Sequence, residues 1–407
     1  MSVNVRGFLF DVLAFVRLKS QRRRTISRAA AQPMPPHAVN LLAQQVRPEK
    51  LHLVVTGVRD ETASARTFRL APDPDSGTSA LPPFRAGQYL SLKTAVNGTP
   101  ITRPYSISSA PFEALRESGF YEITLRRAED GFLTPYAWEH WQVGTALESS
   151  GPTGTFYYEP LRDAHTIVGL AGGSGITAFR SMAREIAYGD LDAELLLLYG
   201  SDVEDILFCD ELQQLERDAA GKLRVVHVLS CEPVSLQGCE QGFISADLMR
   251  KYADVENSSF FACGPQAMYR FLDGELAKLN LPRRRTRREL FGEVHDVASY
   301  PGYPTQVADR TFRLTVHMGS ATHETSARAG ERLLVAMERA TLAPPSQCRS
   351  GECGFCRSRL ISGEVFIVPD SDGRRAADKA FGYVHPCSSF PLSDVELDVP
   401  PTRNQVS

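Results

Sequence analysis

Four cysteines constrain this chain more than any other feature. Cys348, Cys353 and Cys356 lie in the run Cys348-Arg349-Ser350-Gly351-Glu352-Cys353-Gly354-Phe355-Cys356, and Cys387 follows thirty-one residues later. Read as ligands they give C-x4-C-x2-C…C, the plant-type spacing for a [2Fe–2S] cluster. Three thiolates come from one tight loop and the fourth from a distant segment. Ser350, Gly351 and Gly354 are small enough for the loop to curl and aim N–H groups at inorganic sulfide. Buried free cysteines, a disulfide pair or a zinc site are the alternatives. Zinc usually shows paired C-x2-C units or histidines, and this triplet does not.

Length and composition set the frame. The 407 residues suffice for several domains, with 43% hydrophobic and 23% charged residues. A net charge of −3 argues against a general nucleic-acid binder. The other cysteines, Cys209, Cys231, Cys239 and Cys263, are scattered, which suits a reducing cytoplasm. Near the start, Gly7–Leu18 is apolar but too short to span a bilayer, and Arg22–Arg24 follow it. This is a candidate amphipathic helix. It reads as a docking extension, or else as a peripheral membrane contact through residues 1–30.

The texture of the chain changes twice. Leu51–Val58, Ala65–Leu70, Phe84–Leu92, Pro104–Ser109 and Phe120–Arg126 are short apolar or alternating runs parted by turn residues. They predict an antiparallel barrel up to about residue 158. From His165 strands alternate with helices: strands at 165–171, 194–199, 223–229 and 259–263, helices between and after them to about Leu279. That alternation predicts a parallel α/β sheet. Five arginines in Pro282–Arg288 close this unit. A strand at Thr311–Met318 and a helix at Arg332–Ala340 then lead into the cysteine loop. The resulting division is an extension at 1–47, a barrel at 48–158, an α/β domain at 159–290, a linker at 291–309, a small cysteine-bearing domain at 310–400 and a tail at 401–407.

Four motifs carry chemistry. Arg103-Pro104-Tyr105-Ser106-Ile107 offers a guanidinium for a flavin phosphate, an aromatic for its ring and a hydroxyl for its edge. Alone, it could equally be an ordinary strand. Gly131-Phe132-Leu133-Thr134 feeds a short helix, with Thr134 expected at the N-cap and Pro135 at N1. Gly173-x-Gly175-x-Thr177-Ala178 opens a helix after a strand, the context a dinucleotide-binding turn requires. Asp202, in an acidic segment at the end of the next strand, could hold ribose hydroxyls; the absence of Lys or Arg there favours NADH over NADPH. Cys263-Gly264-Pro265 again joins a strand end to a helix, where a small thiol could line a nicotinamide pocket or simply fill the core.

In this order and spacing, the motifs resemble the ferredoxin–NADP reductase superfamily. With the cysteine domain, the chain is similar to NADH-dependent iron–sulfur flavoprotein reductases that serve multicomponent oxygenases. The resemblance covers about residues 48–400. It implies a flavin-binding barrel at 48–158, a nucleotide-binding domain at 159–290 and a β-grasp ferredoxin-like domain at 310–400, in an oxidoreductase passing electrons from NADH through flavin to the cluster, and singly to an acceptor redox protein. A subunit role in a larger, membrane-held complex is the alternative. It further implies that Arg103, Tyr105, Ser106, Ile107, Gly131 and Thr134 hold flavin, and that Gly173, Gly175, Thr177, Asp202, Gly264 and Pro265 hold NADH. Ser106 and Cys263 serve hydride transfer, and Cys348, Cys353, Cys356 and Cys387 hold the cluster. Gly151-Pro152-Thr153-Gly154-Thr155-Phe156 resembles a segment of FAD-binding relatives, so FAD is expected over FMN, with Phe156–Tyr158 stacking its adenine. Arg349, Arg357 and Arg359 are expected to form a basic rim for an acidic partner. His385, two residues before Cys387, either tunes the cluster or fills the fold.

Overall fold

The computed structural model describes residues 7–29, 37–46, 48–129, 131–230, 238–290, 294 and 296–401. The chain divides into residues Met1–Gln45 and Val46–Ser407. The first unit holds α1 (Phe8–Ser27) and most of α2 (Ala38–Val46). No residue of α1 is buried. The apolar run Phe8–Leu18 and the basic run Arg17–Arg28 divide along the helix, not around it. The helix forms where it is expected, with its apolar residues concentrated in the first half and its basic residues in the second.

The second unit begins with six antiparallel strands, β1 (Leu51–Asp60), β2 (Ala65–Pro72), β3 (Tyr89–Val96), β4 (Thr99–Ser106), β5 (Tyr121–Arg126) and β6 (Ala146–Ser149). Their order is β4-β3-β6-β1-β2-β5. An antiparallel bridge between Ile107 and Ile123 brings the last strand back to the first. Leu53, Val55, Phe68, Leu70, Leu90 and Ile123 fill the interior. Helices α3 (Pro111–Ala114) and α4 (Thr134–His140) lie in its connections.

A parallel sheet follows, made of β7 (Thr166–Gly172), β8 (Glu194–Ser201), β9 (Leu223–Leu229), β10 (Glu240–Gln241), β11 (Ser258–Gly264) and β12 (Thr286–Leu290). Its helices are α5 (Ile176–Tyr188), α6 (Cys209–Asp218), α7 (Ala246–Tyr252) and α8 (Gln266–Ala277). The order β10-β9-β8-β7-β11-β12 reverses direction at β7, so the crevice beyond the β7 and β11 ends is the ligand position of such a sheet. Strand β12 escapes sequence reading because Thr-Arg-Arg-Glu-Leu is polar and sits at an edge, where charged residues are tolerated.

The last domain is a mixed sheet with a two-stranded ribbon. Its strands are β13 (Thr311–Met318), β14 (Ala321–Arg328), β15 (Ser358–Ser362), β16 (Val365–Ile367), β17 (Tyr383–Val384), β18 (Ser389–Pro391) and β19 (Val395–Val399). The order is β14-β13-β19-β15-β17, with β16 paired to β18. Helix α9 (Leu333–Arg339) buries Leu333, Leu334, Ala336 and Met337 against it, and α10 (Ala376–Ala380) precedes β17.

Helix α5 joins two of these domains. It buries Phe179 and Met182 with Phe156 and Ala86 of the barrel side, and Ser181 Oγ donates to Ser109 O at 2.6 Å. Arg180, 2% exposed, donates to Glu122 of β5 at 2.8 Å, to Glu211 of α6 at 2.9 Å and to Ser108 O at 3.0 Å. Burial opposes its charge, but the two carboxylates outweigh that and hold the guanidinium above its ordinary range. Arg184 adds Glu113 and Glu211, both at 2.6 Å. Replacing Arg180 with Ala would leave two carboxylates without their buried counter-ion. We expect a loss of about 3–5 kcal/mol in the first unfolding transition, read by urea titration.

Candidate electron-transfer site

The flavin side of the site is built on β3 and β4. Strand pairing sets Tyr89 opposite Ser106, Leu90 opposite Tyr105 and Leu92 opposite Arg103. Ser106 and Ile107 are buried, and Ile107 N–H donates to Gln88 O at 2.9 Å. Segment 151–156 lies alongside: Tyr89 and Thr153 exchange backbone hydrogen bonds of 2.9 and 3.0 Å. Gly154 has φ +109°, and a Cβ there would sit 3.0 Å from the Tyr89 ring and 3.4 Å from Glu289 Oε1.

Two expectations for this side are corrected. Phe156 does not stack on an adenine: it is buried, edge-on to Phe179 at 5.7 Å and tilted against Phe261 at 5.3 Å. Tyr157 instead lies under the Arg85 guanidinium at 4.6 Å. Thr134 is the first residue of α4, not its cap. Its Oγ1 accepts the Ala128 N–H at 3.0 Å and so closes the loop that contains Gly131. Arg103 turns its Nη1 toward Glu338 of α9, at 3.3 Å, and to Thr102 O at 2.9 Å. A guanidinium has further donors, so a phosphate is still within its chemistry.

The nucleotide side sits at the switch point. Gly173, with φ +50°, lies against Arg126 of β5, and a Cβ there would meet Nη1 at 3.1 Å. A Cβ on Gly175 would fall 2.1 Å from Cys263 O, and one on Gly172 2.3 Å from Met268 Sδ. Only glycine lets the two strand ends approach this closely. Thr177 Oγ1 donates to Ser174 O at 2.9 Å, tying off the turn. Asp202 is exposed and accepts the Ser230 hydroxyl at 2.8 Å. Its neighbour Asp205 is engaged elsewhere, accepting Thr62 and Ser64 hydroxyls at 2.6 Å each and pairing with Arg126.

Cys263 is 1% exposed, and burial pushes its thiol well above the ordinary range, so it stands as a neutral group. It is in register with Glu289 of β12. Gly264 N–H donates to the Tyr269 hydroxyl at 3.0 Å, placing the turn before Pro265 against α8. Glu289, which no sequence motif marks, is 5% exposed, and its Oε2 lacks a hydrogen-bond partner. Burial first, then the charge of Glu352, pushes its pKa well up. Arg126 is the other residue missed by sequence reading. Arg126 lies in a segment that reads only as a strand and Glu289 just past a basic closing run, and the meaning of both comes from a neighbouring domain.

The four cysteines gather at one end of the last domain. Cys356 and Cys387 sulfurs are 3.3 Å apart. Cys348 Sγ accepts the N–H of Ser350 at 3.5 Å and of Cys353 at 3.4 Å, and Cys353 Sγ that of Phe355 at 3.4 Å. Hydrogen bonds from the Cys353 and Cys387 thiols bring Cys348 well below the ordinary thiol range and push those two up. All are free cysteines. Among the described residues, no trio of His, Cys, Asp or Glu is grouped as a single metal ion would need. A two-iron cluster asks for something different, four thiolates divided between two irons, with N–H groups aimed at sulfur. The residues present fit that group. His385, 1% exposed, donates from Nδ1 to Gly351 O at 2.6 Å and so braces the loop.

The basic rim is smaller than expected. Arg349 is 4% exposed and its Nη1 donates to Glu338 at 2.6 Å. Arg357 pairs with Asp378 at 3.0 Å, and Arg359 is exposed. Arg349 has a positive φ of 58° and a buried side chain, neither of which spacing alone reveals.

Family comparisons agree with this geometry. An oxidoreductase FAD-binding domain matches residues 53–158, an oxidoreductase NAD-binding domain 170–273, and a 2Fe-2S iron-sulfur cluster binding domain 316–392. The ferredoxin reductase component of 3-ketosteroid-9-alpha-monooxygenase from Mycobacterium tuberculosis is 30% identical over 356 residues, 84% of this chain and 94% of that one. The chain belongs to the ferredoxin–NADP reductase superfamily. Within that superfamily it is an iron–sulfur flavoprotein oxidoreductase that carries electrons from NADH through FAD and a [2Fe–2S] cluster to a redox partner protein. The glycine betaine monooxygenase reductase subunit of Chromohalobacter salexigens is 25% identical, over 84% of this chain and 93% of that one. Phthalate dioxygenase reductase shares the fold of this superfamily member, with a TM-score of 0.60 at 24% identity over 86% of this chain and 98% of that one.

The buried carboxyl yields a pH-dependent prediction. A carboxyl whose folded pKa is raised costs nothing below its unfolded value of about 4.3, and its penalty grows as pH rises toward the folded value. Glu289→Gln should therefore raise Tm more at about pH 8 than at about pH 5. An equal change at both, by differential scanning fluorimetry, would place the charge cost elsewhere.

Proposed function

We propose that the terminal acceptor is an oxygenase-type protein that docks over the cluster loop. The observation that carries this is the uneven burial of the four cysteines. Cys348, Cys356 and Cys387 are buried, whereas Cys353 is exposed beside Phe355, itself 55% exposed. One edge of the loop therefore faces outward with an aromatic next to it. Two relatives named as reductase components of monooxygenases support the acceptor class. Arg357 and Arg359 keep that face basic, which favours an acidic docking surface. A thiolate cluster and spare thiols favour a reducing, cytoplasmic setting; among the described residues no helix is long and apolar enough to cross a membrane.

The motifs and their positions in the fold support the following residue roles. A flavin held here would supply the conversion of a hydride's electron pair into single electrons for a [2Fe–2S] centre. Arg103 and the loop from Gly131 to Thr134 bind flavin phosphate, while Tyr105, Ser106 and the Ile107 backbone orient its ring. Gly173, Gly175 and Thr177 hold the nucleotide, Arg126 adds charge beside its pyrophosphate, and Asp202 takes ribose hydroxyls. Gly264 and Pro265 fix the strand end, so that Cys263 packs as a neutral wall of the nicotinamide pocket. Cys348, Cys353, Cys356 and Cys387 bind the two irons. No side chain need remove a proton for hydride transfer; the residues position the donor and exclude water.

One observation favours a second reading. The exposed apolar half of α1, Phe8 to Leu18, suits an electron-input subunit attached to a larger redox complex. Removing residues 1–45 would separate the two: lost association with intact turnover supports the second.

The main reading is tested by Cys348→Ser. NADH-driven reduction of a two-electron dye should persist, and reduction of a one-electron acceptor protein should stop. Zinc without acid-labile sulfide in the wild-type protein would sink the cluster assignment. kcat/KM should favour NADH over NADPH, and added salt should slow transfer to the partner but not to the dye.

A further inference from the structure

Glu338 occupies a position that local physics disfavours. It lies in the last turn of α9, where the helix dipole repels an anion, and its side chain is only 6% exposed. Two guanidiniums from different domains hold it there. Arg349 Nη1, on the residue after Cys348, donates to Oε1 at 2.6 Å. Arg103 Nη1, on the flavin-facing strand β4, lies 3.3 Å from Oε2 and 3.5 Å from Oε1. A second contact joins the same two segments: Ser91 Oγ of β3 donates to Gln347 O, the residue before Cys348, at 3.2 Å. On the cluster side, Arg332 Nη1 donates to Arg349 O at 3.4 Å and to Cys387 O at 3.2 Å.

We propose that Glu338 is a positioning residue for internal electron transfer, a carboxylate clamp that fixes the cluster loop on the flavin-binding strand. The proposal rests on the residue roles given above for Arg103 and Cys348. Its physical basis is separation. Single-electron transfer between two centres weakens steeply with distance, and these centres sit on domains joined by a linker. A buried carboxylate shared by two arginines resists both sliding and lifting of one domain on the other, because either motion separates Glu338 from Arg103. A surface contact would resist neither. The clamp touches no reacting atom: it acts through Arg103 on one side and Arg349 on the other.

Glu338→Gln keeps the shape and removes the charge. In the full-length, cofactor-loaded variant we expect wild-type iron, sulfide and flavin content. Stopped-flow reduction of flavin by NADH should keep its rate and its KM for NADH. Subsequent reduction of the cluster, and steady-state reduction of cytochrome c as a one-electron acceptor, should slow about tenfold at unchanged KM. Wild-type cluster reduction in the variant would overturn the proposal. So would loss of cluster or flavin together with both activities, which would make Glu338 a purely structural residue. The residue roles fail separately, and visibly, if the wild-type protein lacks flavin or acid-labile sulfide.

Discussion

Arg180 and its two carboxylates are the interaction on which the arrangement depends. The guanidinium leaves α5, the helix that opens from the nucleotide turn, and reaches Glu122 on the barrel and Glu211 on α6. A buried ion triad adds little net stability compared with apolar packing. What it does is fix register. The turn at Gly173–Gly175 cannot shift against the flavin strand without moving Arg180 from Ser108 O, at the end of the very segment that carries Tyr105 and Ser106. The two cofactor sites are thus held at one spacing by a charge that has nowhere else to go.

Close backbone approach does the same work at the switch point. Gly175 against the Cys263 carbonyl, and Gly172 against Met268, bring the ends of β7 and β11 together. Cys263 is then placed opposite Glu289 by strand pairing alone. Tyr89, Gly154 and Glu289 continue the contact from the barrel to the parallel sheet. The junction is dense because each position has surrendered a side chain or an ionisable state to make room.

Much of this was legible in the sequence, for identifiable reasons. The cysteine spacing and the glycine turn state their chemistry locally, since each ligand set lies within a few residues or one strand–turn–helix unit. The α/β alternation was equally plain. Polar edge strands were not: β12 and β14 carry few apolar residues because each has only one neighbour. Residues whose role is set by another domain were also silent. Arg126 looked like an ordinary strand residue, Glu289 like the end of a basic run, and Glu338 like one more residue of a helix. Phe156 and Arg349 misled in the opposite direction. Each has the right chemistry for a surface task, yet Phe156 is buried against Phe179 and Phe261, and Arg349 is buried with its guanidinium on Glu338.

Arg349 shows how stability and connection can diverge at one position. Its backbone, at φ 58°, is a conformation that glycine or asparagine adopts more cheaply, by about 1–2 kcal/mol. A selection for thermal resistance alone would drift toward glycine there and keep a well-folded domain. The resulting protein would still load its cofactors, yet its two redox modules would have lost a shared fastening. Screens that score only folding are blind to that loss, so libraries built on this scaffold need an electron-transfer readout at residue 349.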